Sequence, residues 1–207
     1  EGCVDSLAIN NTYDPLANTN DGSCEYPDNG DYSLSFDGDY VDFGDLDAVE
    51  GLNAITVEAW VYPHELSLSR QYIIAKEDSW YLTMEDDKLI FTIHGEPEWA
   101  FYTIPAINQW YHIVGVSESN DSTKLYINGA QVAKVQSLPI PSSIYKLSFG
   151  SAYKNGNNWE NYFDGKIDEV AIWNDPLIYA EITALYNSGI GLDASANSGD
   201  YTSSSNL

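Results

Sequence analysis

The chain has 207 residues and carries 32 Asp and Glu against 8 Lys and Arg, a formal net charge of −24. That length makes one domain, or one domain with a small appendage, and is enough to bury a substantial core. Such acidity excludes a nucleic-acid partner, which needs a basic footprint, and disfavours anionic membranes and sulfated polymers unless a cation bridges the two. No apolar run approaches the roughly 18 residues of a membrane span, so no membrane insertion is expected. The chain begins without a basic and then apolar leader, so any export signal has been removed or lay upstream.

Acidity here does not mean disorder, because disordered acidic segments are poor in aromatics and this chain has 6 Trp, 16 Tyr and 6 Phe. Residues 1–30 stand apart: they are rich in Asn, Asp, Thr and Pro, lack a periodic apolar face, and contain the two cysteines, Cys3 and Cys24. Lone thiols without neighbouring His or further Cys make a poor zinc site, though in a reduced cytosol they could bind metal or stay inert. A Cys3–Cys24 disulfide is the better reading; it implies an oxidising compartment, hence a secreted or cell-surface protein, and would contribute about 3 kcal/mol to this small unit.

From Tyr32 the pattern turns to short strands bounded by Gly, Pro, Asn or Asp. In order they are Tyr32–Phe36, Tyr40–Phe43, Thr56–Tyr62, Tyr72–Ala75, Trp80–Met84, Lys88–His94, Trp110–Ser117, Lys124–Asn128, Gln131–Val135, Tyr145–Phe149 and Lys166–Trp173. Asn128-Gly129, flanked by Leu125-Tyr-Ile127 and Ala130-Gln-Val132, is the strongest hairpin signal. About eleven strands without intervening helical periods predict an all-β antiparallel sandwich. One short C-terminal helix is expected after it: Asp175 can cap, Pro176 suits the first position, Leu177, Ile178, Glu181, Ile182, Leu185 and Tyr186 follow, and Gly189 ends the turn. Residues 190–207, mostly Gly, Ser, Asn, Asp and Thr, read as a flexible linker, so the chain is expected to be covalently joined to further domains of a longer secreted protein. The organisation is therefore 1–30, 31–189 and 190–207.

Six pieces in order resemble the laminin G-like, concanavalin A-like lectin/glucanase jelly roll of secreted bacterial proteins. They are Leu34-Ser-Phe-Asp-Gly38 with Tyr40-Val41, Thr56-Val-Glu-Ala-Trp-Val61, Trp110-Tyr-His-Ile-Val114, Leu125-Tyr-Ile-Asn-Gly129, Phe163-Asp-Gly-Lys-Ile-Asp-Glu-Val170, and Glu181-Ile182 with Leu185-Tyr186. The resemblance implies a jelly-roll β-sandwich and leaves function to the loops grafted on it. Residues 1–27, through Gly2-Cys3, Asp5, Tyr13-Asp-Pro15 and Asp21-Gly-Ser-Cys24, are similar to a cysteine-paired thrombospondin type 3-like repeat. Such repeats bind calcium, but the EF-hand spacing is missing, since Ala17 falls where the first ligand should be. In the jelly roll, the resemblance implies a structural calcium at Asp168, with Asp37 or nearby carbonyls as partners.

No catalytic residues are expected. Glucanases of this fold carry Glu-x-Asp-x-x-Glu on one strand, which is missing here; Glu85-Asp86-Asp87 lies in a turn and Asp164, Asp168 and Glu169 on the last strand. Tyr153-Lys-Asn-Gly156 and Thr92-Ile-His94 echo alginate lyases, but the arginine-rich strand is lacking and Arg70 is the only arginine. His112 reads as a packed strand residue, and His64 and His94 lack companion zinc ligands. Sugar binding needs flat aromatic faces with amides and carboxylates around them. The loops offer Trp80, Trp99, Tyr102, Tyr153, Asn155, Asn158 and Trp159, while Trp60, Trp110 and Trp173 read as core. The expected function is that of a non-catalytic carbohydrate-binding module for a polysaccharide or oligosaccharide. The alternative is a structural or adhesion domain that contacts protein without binding sugar.

Overall fold

The computed structural model describes residues 33–154 and 158–191, with 2, 15–17 and 19 of the N-terminal segment; at 67, 68 and 154 the description covers the backbone only. Two compact units divide the chain, Glu1–Tyr32 and Ser33–Leu207. In the first, the Gly2 amide donates to the Thr19 carbonyl at 3.1 Å. The expected Cys3–Cys24 bridge lies outside the described residues.

The second unit is a sandwich of two six-stranded sheets and an added hairpin. Its strands are β1 (Leu34–Asp37), β2 (Val41–Asp42), β3 (Ala54–Pro63), β4 (Ser67–Lys76), β5 (Trp80–Asp86), β6 (Lys88–Ile93) and β7 (Ala100–Thr103). There follow β8 (Tyr111–Glu118), β9 (Ser122–Ile127), β10 (Ala130–Gln136), β11 (Leu147–Phe149), β12 (Ala152–Lys154), β13 (Asn158–Glu160) and β14 (Asp164–Trp173). The first sheet runs β1-β14-β3-β8-β9-β10 and the second β2-β11-β4-β5-β6-β7, with all strand pairs in both sheets antiparallel. Strands β12 and β13 form the separate hairpin. All of the expected strands are found; β7 and the β12–β13 hairpin come in addition.

Alternation explains the core. Ile55, Val57, Ala59 and Val61 of β3 point inward against Leu82 and Met84 of β5 and Leu89, Phe91 and Ile93 of β6. Each of these side chains larger than alanine contributes about 1.5–3 kcal/mol by leaving water. Asn128 and Gly129 both take positive φ, 51° and 76°, as the tight turn between β9 and β10 demands.

The outward face of the first sheet has its own apolar layer, formed by Val114, Val116, Tyr126, Ala171 and Trp173 beneath Leu177, Ile182 and Leu185. The last two belong to helix α1 (Tyr179–Tyr186), which starts three residues later than the Asp175 cap predicts. The reason is Thr56: its hydroxyl donates to the Asp175 carbonyl at 2.7 Å and accepts from the Leu177 amide at 3.0 Å, which pins residues 175–177 to β3. Ile178 then takes the N-cap position, with Glu181 accepting from its amide at 3.0 Å. The helix closes at Asn187, left-handed at φ 45°, rather than at Gly189.

Candidate functional site

The outward face of the second sheet carries a cavity of about 250 Å3 lined by Arg70, Tyr72, Glu77, Asp78, Tyr81, Thr92, Ile93, His94, Gly95, Glu96 and Trp99. Three local features build it. A tight turn joins β4 to β5, with the Ser79 amide donating to the Lys76 carbonyl at 2.9 Å and Asp78 held at φ 60°. His94 follows β6, and its amide donates to the Ser79 carbonyl at 2.9 Å, which sets the imidazole beside that turn. Glu96 then ties the following loop to both sheets: its carboxylate accepts from Thr92 Oγ1 at 3.3 Å, the Ile93 amide at 3.1 Å and Thr123 Oγ1 of β9 at 2.7 Å.

That loop presents Trp99, 41% exposed, at the rim. The Arg70 guanidinium lies 4.6 Å from its ring centroid, within cation–π range. Glu85 fixes the guanidinium in turn, accepting from Nε at 3.0 Å and Nη2 at 2.9 Å. On the wall, Tyr72 and Tyr81 have ring centroids 5.5 Å apart. The Tyr81 hydroxyl accepts from the Asp78 amide at 2.8 Å and lies 3.2 Å from His94 Nδ1. Burial, with the Glu77 carboxylate adding to it, pushes the Tyr81 phenol well above its ordinary range, so it stays protonated. An indole face, a neutral phenol, an imidazole and several carboxylate acceptors can hold a hydroxyl-rich ligand by stacking and hydrogen bonds.

The other residues expected to bind sugar are dispersed. Trp80 is a correction: it is fully buried in the core, and its indole N–H donates to the Val49 carbonyl at 2.7 Å. Tyr102 is half-buried and packs against the core from β7. Asn155 lies outside the described residues, and Asn158 is exposed on β13. Trp159 is half-buried: Tyr40 stacks on it with centroids 3.9 Å apart and planes at 23°, and Tyr153 leans against it at 5.0 Å. Lys146 Nζ sits 4.6 Å from the Tyr153 centroid and 2.6 Å from Asp42 Oδ2. Burial alone would raise the Asp42 carboxyl, but hydrogen bonds from Lys146 and the Gly44 amide, with the Lys146 charge, outweigh it and hold the group below its ordinary value. The Trp159 cluster therefore anchors the hairpin. Its exit strand joins the wall of the cavity, where the Tyr72 amide donates to the Asn161 carbonyl at 2.9 Å.

Trp110 is a second correction, because it is 37% exposed rather than core. It meets Tyr62 edge-on at 5.4 Å on the outward face of the first sheet, near the His64–Asp164 pair at 2.9 Å. Trp173 is fully buried and Trp60 half-buried. His112 is fully buried as expected, 2.7 Å from Glu58 Oε1.

The expected calcium pair does not come together. Asp37 stands opposite Asp164, four residues before Asp168 on β14, a separation of roughly 13 Å along a strand. Asp168 instead sits at a bulge, and its Oδ1 accepts from the Glu169 amide at 2.9 Å. These two carboxylates do not fit one shared cation. Asp45, Asp47 and Glu50 do converge, with ligand atoms within 4.8 Å of one another. Among them, however, the fully buried Lys76 ammonium reaches Asp45 at 2.5 Å, Glu50 at 2.8 Å and the Tyr145 carbonyl at 2.5 Å, so a protein cation already meets that charge. Sequence reasoning missed Arg70, Asp78 and His94 as neighbours of Trp99, because only strand pairing brings them together.

No curated protein matches the chain. Among solved structures, a candidate carbohydrate-binding protein from Bacteroides ovatus is similar, with a TM-score of 0.65 and 19% identity over 79% of this chain and 48% of that one. This chain thus spans about half the length of that protein. A heptameric SAP-like pentraxin from Limulus polyphemus has a TM-score of 0.59 and 15% identity over 84% of this chain and 89% of its own. Domain 4 of a GH43 extracellular arabinanase from Geobacillus stearothermophilus, in complex with arabinotriose, has a TM-score of 0.57 and 21% identity, covering 73% and 75%. At these identities the likeness is one of fold. The laminin G-type family described as the concanavalin A-like lectin/glucanases superfamily matches residues 35–183, and this chain belongs to it.

Proposed function

We propose that residues 33–191 form a non-catalytic glycan-binding module whose site is the cavity beside Trp99. The observation that carries this reading is a large indole at a cavity rim, exposed on the surface yet held in place by the Arg70–Glu85 pair. A rigid aromatic face of this kind stacks on sugar C–H surfaces at little entropic cost. Asp78 and His94 beside it supply polar partners for hydroxyls. Glu96 is spent on the loop's own hydrogen bonds, so it serves as a brace rather than an acid for bond cleavage. Carbohydrate-binding neighbours of the same fold support the reading. Placement outside the cell and attachment to further domains belong to the same proposal.

Affinity electrophoresis through gels containing neutral polysaccharides tests it. Wild-type protein is retarded on at least one polysaccharide, and Trp99→Ala loses that retardation while melting at the wild-type temperature. Absence of retardation on every gel favours the protein-contact role instead. Release of reducing ends from any of these polymers would contradict the non-catalytic assignment.

A further inference from the structure

A second cavity, about 360 Å3, opens next to the first and is lined by Glu50, Asp78, Ser142, Ser143, Ile144 and Tyr145. Asp78 lines both. It occupies the turn between β4 and β5 at φ 60°, a left-handed conformation that Asp tolerates better than most residues. Its amide is committed to the Tyr81 hydroxyl. Its carboxylate lies 3.6 Å from His94 Nδ1, too far for a direct hydrogen bond, and so keeps acceptor capacity toward both cavities.

Charge narrows the ligand further. Among the described residues, the one Lys or Arg lining these cavities, Arg70, is matched by Glu85, and the buried Lys76 that pairs with Glu50 of the second cavity is also held by Asp45. Glu77, Asp78 and Glu96 line the first cavity and Glu50 the second. A uronate or sulfate would meet carboxylates with no unmatched Lys or Arg among the described lining residues, whereas hydroxyl donors find acceptors.

We propose that the two cavities are consecutive subsites for one linear, uncharged glycan, which crosses Asp78 and donates hydroxyl hydrogen bonds to its carboxylate. This rests on the glycan reading of the Trp99 cavity. Trp99 stacks on a sugar at one end, Asp78 holds the middle, and the exposed Ile144 with Tyr145 receives the chain beyond it.

Titration calorimetry on the full chain with arabino-, xylo- and cello-oligosaccharides, from disaccharide to hexasaccharide, tests the inference, with oligogalacturonides as the anionic counterpart. For the series that binds, affinity rises by about tenfold or more between disaccharide and pentasaccharide, the gain expected from packing on Ile144 and Tyr145 with one added neutral hydrogen bond. Ile144→Ala and Tyr145→Ala cancel that gain and leave disaccharide binding at the wild-type value. Asp78→Asn, which keeps the left-handed turn, weakens every length by roughly tenfold. Affinity independent of length, or indifferent to both second-cavity variants, overturns the two-subsite inference while leaving the Trp99 site standing. Oligogalacturonides bound as tightly as neutral chains overturn the charge argument. No heat from any neutral series, with Trp99→Ala indistinguishable from wild type, withdraws the underlying glycan reading as well.

Discussion

Glu58 and His112 face each other at 2.7 Å on the outward side of the first sheet, both essentially without exposed surface. Burial raises the Glu58 carboxyl above its ordinary value, with the hydrogen bond and charge of His112 opposing that shift. A carboxyl whose folded pKa is raised contributes stability that is complete below the unfolded value of about 4.3 and is lost as pH rises through the folded value. The advantage of wild type over Glu58→Gln is therefore expected to shrink as pH climbs above about 4, read as the difference in melting temperature at each pH. A difference that stays constant would mean that the carboxyl titrates the same way in both states. Gly115 is a second residue-scale case. A Cβ there would lie 2.2 Å from Phe91 Cγ, across the seam between the sheets. Gly115→Ala should cost about 1–3 kcal/mol or more through overpacking; an unchanged melting temperature would show that the seam has room to give.

At the scale of elements, Thr56 stands between a strand and the helix it receives. Its two hydrogen bonds hold residues 175–177, and with them Leu177 under the helix layer. Thr56→Val keeps the shape and removes both bonds, so stability should fall by about 1–3 kcal/mol and amide exchange should quicken in Tyr179–Tyr186 more than in β8 or β9. Uniform acceleration across all elements would argue against a local pin. This contact joins residues far apart in the sequence, so local capping rules favoured Asp175 and missed the true start. Features decided within a few residues were legible: Asn128-Gly129 announces its turn, and the β3 alternation announces a half-buried strand. The two tryptophans at strand starts were not. Trp80 and Trp110 each precede a run buried on both faces, such as Tyr111 through Ser117, so apolarity could not say which parity points into the sandwich. The site suffered similarly, because Trp99 was visible as a loop aromatic while its neighbours Asp78, His94 and Arg70 come from three other stretches of chain.

For the molecule as a whole, 32 acidic against 8 basic residues leave a surface that repels itself. The Debye length falls from about 30 Å at 0.01 M salt to about 3 Å at 1 M, so the melting temperature should rise with sodium chloride over that range. A fall would show that internal ion pairs such as Lys76 with Asp45 and Glu50 outweigh the surface repulsion. Under the proposed glycan-binding role the same charge favours an uncharged ligand, for which Trp99 is the aromatic rim on the second sheet. The six tryptophans give the most direct test of where that partner sits. In a titration followed by the indole N–H signals in a nitrogen–proton correlation spectrum, a bound neutral oligosaccharide shifts the Trp99 signal and leaves buried Trp80 and Trp173 in place. Shifts confined to Trp110, with Trp99 unmoved, would contradict the account.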